Sequence, residues 1–556
     1  MLLRHNMRQI AIKIDVFGPN GSFHSNDWLL INQDNNLDYD TNLTSAVQHI
    51  RVTKQNNSSF FGVELLVSPA RGKDNKTWKD RLSLLDVVTI TSRVSDEDGV
   101  KEHVLFFGFI TDKSNSINVG DVVKQYISIS CESIGLFMNN PFLAFDKLVD
   151  PFAGLLGVSK DVWDSLQKLS LSGSPAQIIE GLIERFKAYL NPIYIQSKFG
   201  EGLLKDYLNY DLRTVGEVLP FNYAVPNALA GYSNNFWTAF SSAAEVFNGV
   251  GWLHELRIDI LSSTKLNRYI ELMDNNGYTG VHSTTWKALP VSGTENWYLI
   301  LMLRPNIFPY LDTAVENKST LVNTIALNEI ADKINFHNEL WESFSGDLLH
   351  HHNIEVFSAF NSNQNINNMK TVFQLGSSFD ITQSLDYNLP VFVDLENYNK
   401  FGFNPLRVDT RYTQITEVKV ISGQETNRPD LMQNLARLNL RMTSYNTLMD
   451  LYEHGSITIP YNPDISVGDL CSVTEMHQTE TLMFHVGNVA HEIDTQSGVC
   501  VTILNFDRGL LESQWKNLET LLMDRLVVTQ TVGMKQALEN KGINPKTGDL
   551  VGESKY

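Results

Sequence analysis

The sequence predicts a mainly β protein with helical insertions, an α+β fold, and three observations support this prediction. Short segments with alternating apolar residues cluster near both ends of the chain, and this period of two is typical of half-buried strands. Apolar residues at helical spacing fill part of the stretch between them. The length of 556 residues is too great for one core and predicts three or four domains.

Residues 1–145 are expected to form a first β region, a barrel or a sandwich. The alternation from Ile10 to Val16 places Lys13 and Asp15 on the face opposite to the apolar residues, which predicts a half-buried strand. The letters GPNG at 18–21 predict the turn that follows it. Short strands separated by polar turns are typical of a barrel or sandwich. Further strands are expected at 62–69, 86–94, 103–110 and 125–131.

Residues 146–250 are expected to form a helical insertion. Ser174 followed by Pro175 is the pattern of a helix N-cap with proline at the first helical position. A second helix is predicted at 236–247. The apolar stripe of the first helix comprises Ile179, Leu182, Ile183, Phe186 and Leu190.

Residues 251–385 are predicted to form a mixed α/β middle region, with strands at 255–261 and 297–305. Residues 386–508 are predicted to form a second β region with a helical insertion. Its expected strands lie at 391–395, 414–422, 456–460, 471–476, 482–493 and 499–506, and its helix carries Leu431, Leu435, Leu438 and Met442.

Residues 509–556 are expected to form a C-terminal helix followed by a polar tail beyond Asn540. The residues on the apolar face of that helix are Leu511, Trp515, Leu518 and Leu522. The two β regions have similar sizes and lie near opposite ends of the chain, which indicates a duplicated module. No residue-by-residue repeat between them is visible.

Composition limits the possible functions. The chain has 44 basic and 63 acidic residues, a net charge of −19, which argues against sequence-specific or tight nucleic-acid binding. The three cysteines, Cys131, Cys471 and Cys500, give no disulfide framework and fit a reducing compartment, and Cys471 and Cys500 are expected to be small buried hydrophobes. The chain has no apolar run of about 18 residues and no signal-peptide pattern, so synthesis in a cytosol without membrane insertion is expected.

Two motifs that resemble catalytic sites lack essential residues. GYSNN at 231–235 has Asn235 where a nucleophile elbow requires glycine, and its surroundings are predicted to be helical. HEIDT at 491–495 has Thr495 where a zincin motif requires histidine, and it lies in a strand pattern. We therefore predict no catalytic residues and no enzymatic activity.

Two other segments resemble metal sites. The histidines at 350–352 are adjacent and rarely converge on one ion, so a solvated loop or helix end is expected. DNNLDYD at 34–40 begins like an EF-hand, but Tyr39 and Ser45 occupy the positions of its glycine and glutamate, which favours a polar loop. No Walker loop, dinucleotide fingerprint or zinc ribbon occurs, and we predict no metal and no cofactor.

Four groups of segments carry a family resemblance, and the order in which they occur along the chain is part of it. The most specific is EHGSITIPYNPDISVGDLCSV at 453–473 with MFHVGNVAHEIDTQSGVCVTILNF at 483–506, in which Pro463 fixes a turn and Gly468 allows a tight reversal. The others are NKFGFNPLRV at 399–408, WLHELRIDI at 252–260 with LILMLRPNIF at 299–308, and HVLFFGFITDK at 103–113 with QYISISCESIGLF at 125–137. Together they resemble the hub proteins of phage-type contractile tail baseplates, whose chains carry two tube-like barrels.

Under this resemblance, residues 1–145 and 386–508 each form a tube-like β-barrel, and residues 251–385 complete the barrels. The resemblance implies a homotrimer with two barrels per chain, so that a ring of six barrels matches a hexameric tail tube protein while the threefold axis faces a trimeric spike protein. It also implies contacts with other baseplate components, a lining role in the DNA passage during genome ejection, a location in the virion tail and assembly in the host cytoplasm.

Two alternatives from other functional classes stay open. A tail-associated peptidoglycan-degrading enzyme would need a further domain with a paired-carboxylate or Cys/His site. A β-rich receptor- or glycan-binding protein would expose aromatic side chains, and Trp237, Trp252, Trp286 and Trp297 are the candidates, although aromatic residues at such positions usually belong to a core.

Overall fold

A computed structural model gives the conformation of most of the chain. The structure describes residues 9–18, 23–24, 27–31, 33, 37–40, 42–96, 99–119, 123–139, 175–190, 193–197, 199–214, 235–244, 254–278, 280–291, 293, 295–306, 308–313, 325–326, 334–337, 351–353, 369–377, 391–410, 439–474 and 481–529. Several predictions fall outside these residues, among them Ser174 and the strand at 414–422.

The first β region confirms the predicted strands and adds three that the sequence analysis missed. Two of these, β2 and β3, have only two residues each, and the third is β4, which directly follows helix α1. The elements are β1 (Gln9–Phe17), β2 (Phe23–His24), β3 (Leu29–Leu30), α1 (Leu43–Ala46), β4 (Val47–Gln55), β5 (Phe61–Val67), α2 (Trp78–Arg81), β6 (Val87–Asp96), β7 (Gly99–Val119), β8 (Val123–Glu132) and α3 (Gly135–Met138).

Strand β1 is buried on both faces, so the prediction of a half-buried strand is wrong. Lys13 and Asp15 are 5% and 3% exposed and form an ion pair at 3.4 Å. The Lys13 ammonium also lies 5.2 Å from the ring centroid of Trp28 and 5.7 Å from that of Phe199. The polar face of β1 is therefore covered by aromatic side chains, and its two charges neutralise each other.

The first β region curves back on itself. Its strands follow the antiparallel order β4-β5-β8-β7-β6-β1. Thr44, in the helix just before β4, reaches the far strand: its Oγ1 accepts from Ile14 N at 3.0 Å and donates to Ile14 O at 3.4 Å. A hydroxyl of α1, the helix that directly precedes β4, thus contacts β1 at the other end of the series.

The middle region contains the predicted helices and strands. Its elements are α4 (Pro175–Tyr189), β9 (Tyr194–Ser197), β10 (Gly200–Leu203), α5 (Leu204–Tyr207), β11 (Leu208–Arg213), α6 (Phe236–Ala244), β12 (His254–Ser262), α7 (Ser263–Asn275), β13 (Gly280–His282), β14 (Trp297–Pro305), β15 (Tyr310–Thr313), β16 (Ile325–Ala326), β17 (Ile334–His337), β18 (His351–Asn353) and β19 (Val372–Ser377). Strands β12-β14-β11-β13 form one sheet in that order. Helix α4 begins at Pro175 and buries its predicted stripe.

The second β region contains several of the predicted strands. The segment predicted as one strand at 482–493 forms two, because the chain turns at Val486 and Gly487. The elements are β20 (Val391–Asp394), α8 (Leu395–Phe401), β21 (Pro405–Thr410), α9 (439–446), β22 (Glu453–Pro460), β23 (Leu470–Thr474), β24 (Thr481–His485), β25 (Asn488–Asp494) and β26 (Cys500–Leu511). Strands β25 and β26 form the predicted hairpin.

The prediction of one helix carrying Leu511, Trp515, Leu518 and Leu522 is wrong. Leu511 ends β26, and two short helices, α10 (Glu512–Lys516) and α11 (Leu518–Arg525), follow it. A further strand, β27 (Leu526–Thr529), enters a sheet of order β16-β27-β20-β19-β21. Leu518 and Leu522 are buried in this chain's own core, as the apolar spacing predicted.

Apolar packing joins the first β region to the middle region. One core runs from strands β1 to β8 into α4, α6, β11, β12 and β14, and it includes Tyr461 and Ile493 from the second β region. Two smaller clusters pack residues of the second β region against the middle region, Leu470 and Met483 in one and Val408 and Leu440 in the other. Strands β22 to β26 enclose a separate core that includes Ile457, Val473 and Phe484. In the part of the chain that the structure describes, no helix is long and apolar enough to cross a membrane.

Candidate functional site

Strands β4 and β25 join the two β regions into one 14-stranded sheet. They pair antiparallel from Gln55 opposite Asn488 to His49 opposite Asp494, without a register shift. The pairing continues beyond both strand ends, because Asn56 N donates to Gly487 O at 2.9 Å and Thr495 Oγ1 donates to Val47 O at 2.7 Å. We call this β4–β25 ladder the seam. It makes the second β region a direct extension of the first.

A set of buried charges lies beside the seam on strand β12. All nine residues of β12 are buried, yet Glu255, Arg257 and Asp259 occupy alternate positions on one face. Burying an unpaired charge costs several kcal/mol, so each needs a partner. Each of these three residues finds its partners on a different element. We call the resulting set of ion pairs and hydrogen bonds the charge network.

Glu255 is held by the side chains of Arg304 and His485. Arg304 Nε on the neighbouring strand β14 donates to Glu255 Oε2 at 2.8 Å, and both side chains are almost fully buried. His485 Nε2 lies 3.2 Å from Glu255 Oε1 and 3.1 Å from Arg304 Nη2. Both oxygens of this carboxylate are therefore engaged, which leaves it poorly suited to act as a base.

The loop between β22 and β23 accepts hydrogen bonds from two arginines of the middle sheet. Arg257 Nη1 donates to Val467 O, and Arg304 Nη2 donates to Gly468 O. Gly468 has φ +81°, and a Cβ there would lie 1.9 Å from Arg257 Nη1 and 2.2 Å from Arg304 Nη2. The glycine is thus required for its left-handed conformation and for the space that both guanidinium groups occupy.

Lys265 of helix α7 closes the same loop from the other side. Its Nζ donates to Asp464 O at 2.9 Å, Ser466 Oγ at 3.0 Å and Asp469 Oδ2 at 3.0 Å. Ser466 N also donates to Asp469 Oδ2 at 2.8 Å. The side chain of Asp469 therefore holds the turn and its lysine anchor together.

Asp259 connects the middle sheet to the first β region. Its Oδ1 accepts from Lys54 Nζ at 2.9 Å, and Lys54 belongs to β4, the seam strand. The Lys54 ammonium also lies 4.8 Å from the ring centroid of Phe61. Through Lys54, Arg257 and Arg304, strands β12 and β14 therefore contact both β regions with charged groups.

Neighbouring cationic side chains keep the carboxylates of Glu255 and Asp259 ionised. Burial by itself would raise the pKa of Glu255, but Arg304, His485 and Arg257 outweigh it and hold that pKa below its ordinary value. Burial would likewise raise the pKa of Asp259, and Lys54 followed by Arg257 lowers it. The network is therefore an ionic joint that stays charged at neutral pH.

Other side chains that the sequence analysis singled out lie in structural roles. His491, the first residue of HEIDT, is buried in β25, with Nδ1 3.0 Å from Thr502 Oγ1; burial, followed by the charge of Lys54, lowers its pKa to about 3. Asn235 caps helix α6 by accepting from Thr238 N at 2.7 Å, while residues 231–234 lie outside the described residues.

The predicted loop or helix end for the adjacent histidines is wrong at His351 and His352, which lie in β18 and pair in parallel with β23. Asp38 and Asp40 of the EF-hand-like segment lie in a polar loop, as predicted, and Arg81 bonds Asp40 at 2.9 Å. Within the described ranges, no three His, Cys, Asp or Glu side chains are grouped to hold a metal. All three cysteines are free. Cys131 and Cys471 are buried, but Cys500 is only partly buried, so the expectation of a buried residue is wrong for Cys500.

The sequence analysis missed the seam and the charge network. A signal for the network was present: HELRIDI places three charged residues at alternate positions of an otherwise apolar strand. Because such charges in a buried strand need partners, the pattern itself indicates a buried ionic joint. Its partners Lys54 and Lys265 had no comparable signal, since single lysines on amphipathic segments are usually solvated.

Comparisons with known proteins complete the description. No family model matches the sequence, and no curated protein sequence matches it significantly. Among solved structures, the chain is similar to the tail protein from Neisseria meningitidis MC58, with 8% identity, a TM-score of 0.39 and coverage of 90% of this chain and 96% of that one. It is also similar to the 43 kDa tail protein of prophage MuSo2 from Shewanella oneidensis, with 9% identity, a TM-score of 0.38 and coverage of 90% and 98%.

A third similar structure is prophage tail protein gp18 from Listeria monocytogenes EGD-e, with 10% identity, a TM-score of 0.33 and coverage of 92% and 99%. All three of these proteins are named tail proteins, and two of them come from prophages. Because the TM-scores are below 0.5, we base the proposed function on the contacts of this chain.

Proposed function

We propose that the chain is a structural hub of a phage-type tail baseplate and that it acts as a homotrimer rather than as an enzyme. The observation that carries this proposal is the seam, because it sets two antiparallel β units of one chain side by side in a single sheet. Three such chains around an axis present six units. A threefold protein can satisfy six equivalent docking surfaces of a hexameric tube only with two similar units per chain.

The proposal divides the chain as the sequence analysis did. Residues 1–145 and 386–508 supply the two barrel units, residues 146–250 and 251–385 supply the helical insertion and the middle region, and residues 509–556 follow the second unit. Strand β26 continues past 508 to Leu511, so the physical end of the second unit lies three residues later. The two units should superpose despite unrelated sequences.

In the proposed assembly, the hub binds a hexameric tail tube protein on one side and a trimeric spike protein on the other, together with other baseplate components. It lies in the virion tail, assembles in the host cytoplasm and lines the passage for DNA during genome ejection from a contractile tail. The net charge of −19 suits a lumen with a neutral or negative lining, to which DNA does not adhere.

Light scattering of the purified chain at micromolar concentration tests the trimer, and the expected mass is about three times 62.9 kDa. Electron microscopy of the particle with this chain labelled then tests its position at the tube–spike junction. A chain that stays a single copy, both in solution and within the particle, contradicts the proposal.

The remaining interpretations predict different measurements. A peptidoglycan-degrading enzyme would clear a zymogram, and a glycan-binding protein would bind a glycan array; we expect neither result. Trp237 and Trp297 are 9% and 7% exposed and belong to the core, whereas an aromatic glycan platform would face solvent. Trp286 packs edge-on against Tyr298 at 5.9 Å, and Trp252 lies outside the described residues.

Residues 541–556 also lie outside the described residues, and we propose that they reach a neighbouring protein. Deletion of 541–556 should leave the fold and the trimer intact, because this segment contributes little apolar area. Loss of soluble trimers on deletion would instead assign the segment to the core.

A further inference from the structure

A polar cleft of about 510 Å³ opens where the seam meets the middle sheet. Its walls come from the turn after β4, the start of β25, the segment that follows β14, helix α9 and strand β26, together with Glu255 of β12 and His485 of β24, which are paired with each other. The volume lies within the range of pockets that hold small molecules or short peptide segments. Backbone hydrogen bonds fix the walls: Asn56 N donates to Gly487 O at 2.9 Å, and Gly487 N donates to Asn505 O at 2.9 Å.

Primary amides line this cleft in unusual number. Asn56 Oδ1 accepts from Asn57 N at 3.1 Å, and Asn57 Oδ1 accepts from Leu256 N at 2.9 Å. The amide nitrogens of these two residues, and the whole amides of Gln55, Asn488 and Asn505, form no hydrogen bond within the described part of the chain. The Asn488 oxygen is also shielded from solvent. Polar groups that are shielded from solvent normally have hydrogen-bond partners.

Arg508 supplies an uncompensated positive charge on the same wall. Its guanidinium carbon lies 3.3 Å from the ring centroid of Tyr445, 5.2 Å from that of Tyr452 and 5.5 Å from that of Phe308. One nitrogen, Nη1, donates to Tyr445 O. No carboxylate of the described residues forms an ion pair with it, in contrast to the paired arginines of the charge network. The aromatic rings therefore hold the guanidinium in place without neutralising it.

We propose that this cleft binds an extended segment of a partner polypeptide that carries an acidic side chain. A primary amide has both donors and an acceptor, so the free asparagine and glutamine side chains match the alternating N–H and C=O groups of an extended main chain. The guanidinium of Arg508 matches a carboxylate, because it presents several donors in a planar fork. With a net charge of −19, the chain as a whole repels acidic segments, so Arg508 would set where such a segment binds.

The inference goes beyond the proposed hub role and does not depend on the trimer, so purified full-length chain serves for its test. Fluorescence anisotropy is measured with a labelled peptide of repeated Gly-Glu-Ser and with the matched Gly-Gln-Ser peptide. We expect the acidic peptide to bind about tenfold more tightly, as one charge-assisted hydrogen-bonded contact provides. Arg508→Gln should remove this preference, and Arg508→Lys should retain part of it.

A second variant guards against a folding defect in Arg508→Gln. Asn505→Asp leaves the aromatic rings around Arg508 untouched and places a negative charge in the cleft, so it should also remove the preference. Lys516→Gln is the matched control, because it removes a positive charge from an exposed position outside the cleft and should leave both affinities unchanged.

Several results would overturn the inference. Equal binding of the two peptides, or no binding of either at millimolar concentration, would show that the cleft does not recognise an acidic segment. A preference that survives in both Arg508→Gln and Asn505→Asp would place the acid-binding group elsewhere. Competition by free succinate as effective as that by the peptide would make the ligand a small anion instead of a polypeptide.

Discussion

The two β regions are attached to the rest of the molecule by different combinations of contacts. The first shares a continuous apolar core with the middle region. The second has a core of its own in strands β22 to β26 and packs on the middle region through two smaller apolar clusters, to which the seam and the charge network add directional contacts. Apolar packing is non-directional, whereas hydrogen bonds and ion pairs need a defined geometry. The orientation of the second region therefore depends in part on groups that single substitutions can remove.

Removal of Arg304 should have the largest effect on this comparison. Arg304→Met leaves the buried carboxylate of Glu255 without its main partner and should lower the free energy of unfolding by about 3–5 kcal/mol. Denaturant titration measures this change, and calorimetry should then resolve a separate transition of the second β region. Lys400→Met breaks an exposed pair with Glu396 and serves as the control, with a change of about 0.5 kcal/mol. A loss below about 1 kcal/mol for Arg304→Met would contradict the ionic joint.

Two glycines with similar backbones provide a sharper test. Gly468 has φ +81° beside two guanidinium groups, while Gly277 has φ +72° with no atom within 4 Å of the place that a Cβ would occupy. Gly277→Ala should cost about 1 kcal/mol, the penalty of the left-handed conformation alone. Gly468→Ala should cost about 3 kcal/mol, because the loop must also move away from the arginines. Equal losses in urea titrations would show that the arginine contacts add nothing.

Acid should lower the stability of both the middle region and the seam, because each contains a buried histidine. Burial lowers the folded-state pKa of His254, in the middle region, and of His491, in the seam, to about 3 in each case. Stability is therefore complete above about pH 6.5 and declines as the pH falls towards 3, because only the unfolded chain takes up these protons. The loss between pH 7 and 5 should be on the order of 2 kcal/mol for each histidine.

Thermal unfolding followed across this pH range measures the effect. His491→Gln should remove the part of the pH dependence of stability that His491 causes and leave the part that His254 causes. An unchanged pH dependence in His491→Gln would mean that His491 takes up its proton at the same pH in the folded protein as in the unfolded chain.

The smallest effect is expected at the exposed edge of the seam. Arg51 Nε lies 3.2 Å from Glu492 Oε1 across the two strands, with side chains 50% and 27% exposed. Arg51→Ala should cost about 0.5 kcal/mol, and 1 M salt should remove most of the difference from the wild type. If Arg51→Ala lost as much stability as Arg304→Met, the exposed ion pair of the seam would contribute as much as the buried charge network.

The sequence predicted much of the fold and little of the joint, for a physical reason. Strands such as β8 and helices such as α4 follow from local periodicity, which each segment carries in its own side chains. Strand β4 was missed because a register shift after Val47 interrupts its alternation and Lys54 faces inward. The role of Arg508 in the cleft was equally invisible, since its aromatic partners come from segments far apart in sequence.

The seam also has a consequence for how the protein is made. Strand β4 leaves the ribosome about 430 residues before its partner β25. At about 5–20 residues per second, its edge waits roughly 20–90 s during translation before it can pair. An unpaired edge of that duration can recruit the same strand of another nascent chain. Arg51 and Lys54 place positive charges on that edge. Until β25 is made, these charges would repel the same charges on neighbouring nascent chains and so delay aggregation.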